Sequence, residues 1–119
     1  MATVKIPLAA HRKGDTWGPI VIGPVLINGL PPVNPAVKCR WHFRSKDGAL
    51  GLGMSTAPAG NEKQIVITDA ATWLFTIPHF IMDLSPGKWG WDCEITDSVG
   101  IVLTPYSGDL TIIQDVTHD

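Results

Sequence analysis

Two cysteines, four histidines and a scatter of carboxylates are the side chains of this 119-residue sequence best equipped for chemistry. Zinc sites are built from clustered pairs such as Cys-x2-Cys. Cys39 and Cys93 stand far apart instead, and His11, His42, His79 and His118 show no short His-to-His spacing. No metal and no cofactor is therefore expected. A nucleophilic cysteine needs an adjacent base and an activating environment, and the sequence around Cys39 and Cys93 supplies neither. Ser, His and Asp residues for a triad are present, but without a nucleophile elbow or a Gly-rich phosphate loop. Asp92 and Glu94 have the same parity, so on a strand they share a face. There they pair with cations more readily than they act as an acid and base. The expectation is a protein that is not an enzyme.

The elements that would position these groups read as strands. In Val37-Lys38-Cys39-Arg40-Trp41-His42-Phe43-Arg44, apolar and basic residues alternate strictly. That period of two puts Val37, Cys39, Trp41 and Phe43 inward and Lys38, Arg40, His42 and Arg44 outward. Lys88–Thr96 is its acidic counterpart. Trp89, Trp91, Cys93 and Ile95 point one way, and Gly90, Asp92, Glu94 and Thr96 the other. If the two strands are neighbours, Arg40 and Arg44 meet Asp92 and Glu94 as cross-strand charge pairs. Their inner faces then gather a core of Cys39, Trp41, Phe43, Trp89, Trp91, Cys93 and Ile95. The basic outer face is either a solvated sheet surface or a stripe for phosphate or acidic glycan. The two inward cysteines are either free thiols, which the lack of a secretion signal favours, or an inter-strand disulfide.

Twelve glycines and ten prolines interrupt the rest of the chain at sandwich-like intervals. Val4–Leu8 reads as an edge strand that tolerates Pro7. Trp17–Ile22 and Val25–Ile27 read as one strand broken at Gly23-Pro24, and Asn28-Gly29 as a tight turn. Three prolines make 30–35 an extended loop. Further strands are expected at 49–55, 64–68, 72–78, 101–104 and 109–116, with Phe80–Leu84 as a helical turn or a loop on the core. The reading is all-β: a single immunoglobulin-like antiparallel β-sandwich of about 7–9 strands, one domain over 1–119.

Composition agrees with a folded domain, at 45% hydrophobic and 17% charged residues with a net charge of −2. That charge gives no general attraction to nucleic acid or anionic membranes. The N-terminus lacks the basic start and apolar stretch of a signal peptide, so a soluble, intracellular product is expected. Charge is nonetheless divided along the chain. Residues 1–46 hold seven Lys/Arg against Asp15, and residues 83–119 hold seven acids against Lys88. Either oppositely charged strands neutralise each other within one sheet, or unlike faces of neighbouring copies meet.

Four segments in order carry a family resemblance. They are Lys13-Gly14-Asp15-Thr16-Trp17; Ile65-Val66-Ile67-Thr68-Asp69 with Phe75-Thr76-Ile77; Leu84 to Asp97 around Lys88-Trp89-Gly90-Trp91-Asp92-Cys93; and Gly100 to Thr117, with Ser107-Gly108-Asp109-Leu110-Thr111-Ile112 and Asp115-Val116-Thr117. The string resembles the immunoglobulin-like domain of bacteriophage tail and baseplate components, such as the N-terminal domain of baseplate upper proteins.

The resemblance implies a virion structural protein of the tail or baseplate region, assembled in the host cytoplasm. It would link or anchor fibre or baseplate components without catalysis. A capsid decoration protein is the alternative within that class, and a carbohydrate-binding module the alternative outside it. Expected partners are other copies of itself and other phage structural proteins, with a glycan as a further candidate. Apolar loop residues not assigned to the core mark the expected interface: Trp17, Pro31, Pro32, Trp73 and Phe80. Trp17 and Trp73 are also the aromatics left over to stack on a sugar.

Overall fold

The computed structural model describes residues 3–114. Its strands are β1 Val4–Lys5, β2 His11–Arg12, β3 Thr16–Trp17, β4 Ile20–Ile22, β5 Ala36–Arg44, β6 Leu50–Ser55, β7 Lys63–Gln64, β8 Val66–Asp69, β9 Leu74–Ile77, β10 Phe80–Ile81, β11 Gly87–Asp97 and β12 Val102–Ile113. The large sheet runs β1-β12-β11-β5-β6-β7, with β2 also on β12. A three-stranded sheet, β4-β9-β8, and a ribbon of β3 and β10 complete the fold. The all-β sandwich holds. The strand count exceeds expectation because five strands are only two residues long.

The two alternating segments form the centre of the large sheet. β5 and β11 pair antiparallel, Trp91 opposite Phe43 and Cys93 opposite Trp41. Between the sheets, Cys39, Trp41, Phe43, Trp91, Cys93 and Ile95 meet Ile22, Phe75 and Ile77, all buried. Trp41 lies 5.1 Å from Trp91 and 5.2 Å from Phe43 between ring centroids. Fully burying each large apolar side chain contributes roughly 1.5–3 kcal/mol, so this ring cluster anchors the two layers. Val37 is the exception to the expected inward face, at 53% exposed. The register shifts where Asp97 faces Ala36. That bulge puts Ala36 inside in its place, because one extra residue reverses the parity of a strand.

Two further departures have local causes. Segments 101–104 and 109–113 join into one strand, β12, despite Pro105. The β11 partners step from Cys93–Tyr106 to Ile95–Leu103. Thr104 and Pro105 therefore share the space opposite Glu94, and a bulge is where a residue without an N–H is tolerated. The N-terminal strands run parallel to β12, Val4 beside Tyr106 and His11 beside Ile112, with Pro7 in the gap between them. The Asn28-Gly29 turn is as expected. Asn28 and Gly29 take φ of 52° and 80°, and Ile27 and Leu30 exchange both backbone hydrogen bonds. Part of segment 109–116, from residue 115 on, lies outside the described residues, as does His118.

Candidate functional site

On the outer face of the large sheet, register decides which side chains meet. Glu94 lies opposite Arg40, and Arg40 Nη2 donates to Glu94 Oε1 at 2.9 Å. The second expected pair does not form. Arg44 lies opposite Gly90, and Asp92 opposite His42, so the Arg44 and Asp92 side chains are staggered by one pair along the strands. Arg44 instead donates to the Gly48 carbonyl at 3.2 Å and to His42 Nδ1 at 3.3 Å.

The stagger leaves a trough of about 890 Å³. Its floor is Gly90, where even an added Cβ would find only Asp109 Oδ1, at 3.9 Å. One row across the sheet runs Lys5, Ser107, Asp92, His42, and the next runs Asp109, Gly90, Arg44. Lys46 and Lys88 complete the rim. Four cations thus surround two carboxylates, a formal excess of two positive charges. Lys88 reaches Asp109 at 3.6 Å across an exposed gap, a contact that contributes little in water. Among the described residues, Lys5, Arg44 and Lys46 have no carboxylate within ion-pair distance.

His42 is the titratable wall of the trough. Its Nδ1 accepts from Arg44, which requires the neutral ring with hydrogen on Nε2, and Nε2 faces Glu62 Oε2 at 3.6 Å. Burial, followed by the charges of Arg40 and Arg44, holds the imidazole below its ordinary pKa, with Glu62 opposing in part. From β11, Asp92 faces it as well. The unfolded chain therefore takes up this proton first as pH falls. The stability that the neutral ring contributes is whole above the ordinary imidazole range. It is lost as pH drops through that range towards the folded-state value. The thermal midpoint is expected to fall between about pH 7.5 and about pH 5.5, and His42→Gln to flatten that part of the profile. An unchanged slope in the variant would refute the assignment.

The residues expected at an interface divide differently. Trp73 is 1% exposed, and its Nε1 donates to the Asn34 carbonyl at 2.8 Å, so it belongs to the core. Trp17 and Phe80 pair edge-to-face at 5.6 Å on the β3–β10 ribbon, and Trp17 packs on Trp41 and Phe43. Pro31 is exposed and Pro32 half-buried. An apolar residue in a short connecting segment caps the sandwich as readily as it seeks a partner. With Trp73 enclosed and Trp17 wedged among rings, neither offers a free face for a sugar. Trp89 sits at the core's rim, its Nε1 bonded to the Ser85 carbonyl at 2.9 Å.

No protein-family model matches the chain, and no curated protein sequence matches it. A solved structure does. CopC from Methylosinus trichosporium OB3b covers 95% of this chain and 92% of its own, with a TM-score of 0.50 and 10% identity. At that identity the likeness speaks for the fold alone.

The tail or baseplate role implied by the motif string is corrected by this comparison, together with its capsid-decoration alternative. A structure that shares the fold along nearly the whole chain is CopC, not a virion component, and no sequence match supplies a virion relative. The four motifs are built from turn glycines, strand-end aspartates and inward aromatics. Asp69 and Asp97 illustrate the point: their carboxylates accept from the turn amides of Ala71, and of Val99 and Ile101. Any sandwich with such hairpins needs these residues, so the string reports architecture. Among the described residues, no three His, Cys, Asp or Glu side chains gather as metal ligands. The trough is the site whose chemistry is not already used by the fold. Its signal in the sequence was the basic face of β5, joined by a glycine on the opposing strand.

Proposed function

We propose that this protein is a non-catalytic binding domain that takes a phosphate or sulfate group in the trough over Gly90. The observation that carries this reading is the bare glycine floor beside Arg44, with Lys5 and Lys46 nearby and also without a carboxylate. A glycine on the outer face of a sheet lets a ligand reach the backbone. Arg44 is held by Gly48 and His42, so its planar guanidinium is oriented before a ligand arrives, and the remaining N–H donors are free for a tetrahedral anion. Asp92 and Asp109 line the same trough, Asp109 across Gly90 from Arg44, and repel a ligand with more negative charge than the cations can balance. The cations attract and orient, which requires no bond to be made or broken.

The test is a titration of isotope-labelled protein with inorganic phosphate and with a sulfated oligosaccharide at constant ionic strength. Saturable amide shifts are expected at Gly90, Gly108 and residues 44–48. Arg44→Ala should weaken binding roughly tenfold or more, as loss of a charge-assisted hydrogen bond does. Lys13→Ala, remote from the trough, should leave it unchanged. Shifts that spread over the surface without saturating, or an Arg44 variant that binds as well as the parent, would defeat the reading.

A further inference from the structure

A second site lies beneath the large sheet, on the opposite side from the trough. Cys39 Sγ and Cys93 Sγ are 3.6 Å apart, both thiols free and buried. The two residues sit diagonally on adjacent strands, Cys93 facing Trp41 and Cys39 facing Ile95. Each belongs to the inward alternation of its own strand, so neither can turn away from the other without reversing the strand's parity. Disulfide formation needs the sulfurs to close by roughly 1.5 Å. Diagonal neighbours on paired strands stand roughly 7–8 Å apart at Cα, so closure takes a small shift of the strands as well as side-chain rotation.

A cleft leads to Cys93. Between β4 and the segment Ile6–Leu8, an apolar opening of about 260 Å³ has Cys93 on its wall, with Trp41, Trp91 and Tyr106 beside it. A molecule as small as hydrogen peroxide fits such a space. Asp92 and Glu94, next to Cys93 in sequence, face the other side of the sheet. The hydrogen bond with Cys39, followed by burial, keeps the Cys93 thiol protonated well above its ordinary range.

We propose that Cys39 and Cys93 are an oxidation site that a small hydroperoxide converts to an intramolecular disulfide tying β5 to β11. Cys93, the thiol on the cleft wall, meets the peroxide; on losing its proton its sulfur attacks one peroxide oxygen and the O–O bond breaks. The departing hydroxide takes up a proton as water, leaving a sulfenic acid. Cys39 Sγ, 3.6 Å away, then loses its proton and attacks the Cys93 sulfur, forming the S–S bond. The expelled hydroxide combines with that proton as a second water. Two thiols are oxidised by two electrons and one peroxide is reduced. The bond closes a long loop of chain, which restricts the unfolded state.

The experiment treats the intact, folded protein with hydrogen peroxide, then counts thiols in denaturant and maps peptides by mass. The expected product is a monomer that has lost two hydrogens, with Cys39 and Cys93 in one linked peptide pair. Its thermal midpoint should rise by roughly 5–15 °C, and dithiothreitol should return it to the starting value. Cys39→Ser and Cys93→Ser should each abolish the linked pair. Because either variant could fold poorly, the parent decides the matter alone. Thiols that survive peroxide in the folded protein but react after unfolding would overturn the proposal. So would a product that gains oxygen without linkage, or a disulfide only between molecules.

Discussion

Trp73→Ala is expected to remove about 3–5 kcal/mol of folding stability, the usual cost of deleting a fully buried aromatic. Most small domains have only 5–15 kcal/mol in total, so a large unfolded fraction at physiological temperature follows. The loss has two parts. The indole is 1% exposed, and its removal leaves a cavity in the core beside Asn34 that the rigid strands of the small sheet cannot collapse into. The Asn34 carbonyl also loses its donor. Trp73→Phe separates them. Phenylalanine keeps most of the packing and forfeits the hydrogen bond, so a loss nearer 1–2 kcal/mol is expected from it. Chemical denaturation of the three proteins gives both numbers. Equal midpoints for the parent and Trp73→Ala would mean that the tryptophan is peripheral, as the sequence alone suggested.

That suggestion failed for a reason visible in the backbone. Trp73 takes φ of 57°, a left-handed turn residue next to the start of β9. Alternation assigns a face only to residues with extended geometry, and a residue at a turn has no parity to read. Trp41 and Trp91 could be placed because each sits within an alternating run, 37–44 and 88–96. The same contrast holds for charge. The strands β5 and β11 and their opposite charges were legible from alternation, but which arginine meets which acid was not. Whether Arg44 meets Asp92 or Gly90 depends on register, which the pattern leaves free in steps of two. The trough exists because the register fell on Gly90. No property of Arg44 or Gly90 taken singly announced it.

The parallel contacts of β1 and β2 were illegible for a related reason. Two-residue strands carry no period, and their pairing is decided by where Ile6 and Leu8 find apolar cover against the core. Ile6 N donates to the Ser107 carbonyl at 2.8 Å, which fixes the N-terminal segment beside β12 and brings Lys5 to the trough's rim. A cation of the proposed binding site thus owes its position to a contact between sequence positions a hundred residues apart.

Gly23→Ala should be as damaging as the loss of Trp73, and by a mechanism that touches no side chain of the core. Gly23 has φ of 94°, where an L-residue is strained by about 1–2 kcal/mol. A Cβ built there would also fall well inside the contact distance of the Trp73 carbonyl oxygen, with the Leu74 Cα close behind. These are backbone atoms of the turn entering β9, so they cannot rotate aside. Relief requires β4 to move off β9, which would break the Ile22–Phe75 pairing and open the wall of the apolar cleft. Forced backbone shifts of this kind cost about 1–3 kcal/mol more, for a total of roughly 2–5 kcal/mol. Gly29→Ala is the matched control. It has φ of 80° but an added Cβ meets nothing within 4 Å, so only the conformational strain should appear, about 1–2 kcal/mol. If denaturation gave the two variants equal losses, the close approach of Gly23 to Trp73 would not be what joins the small sheet to its turn.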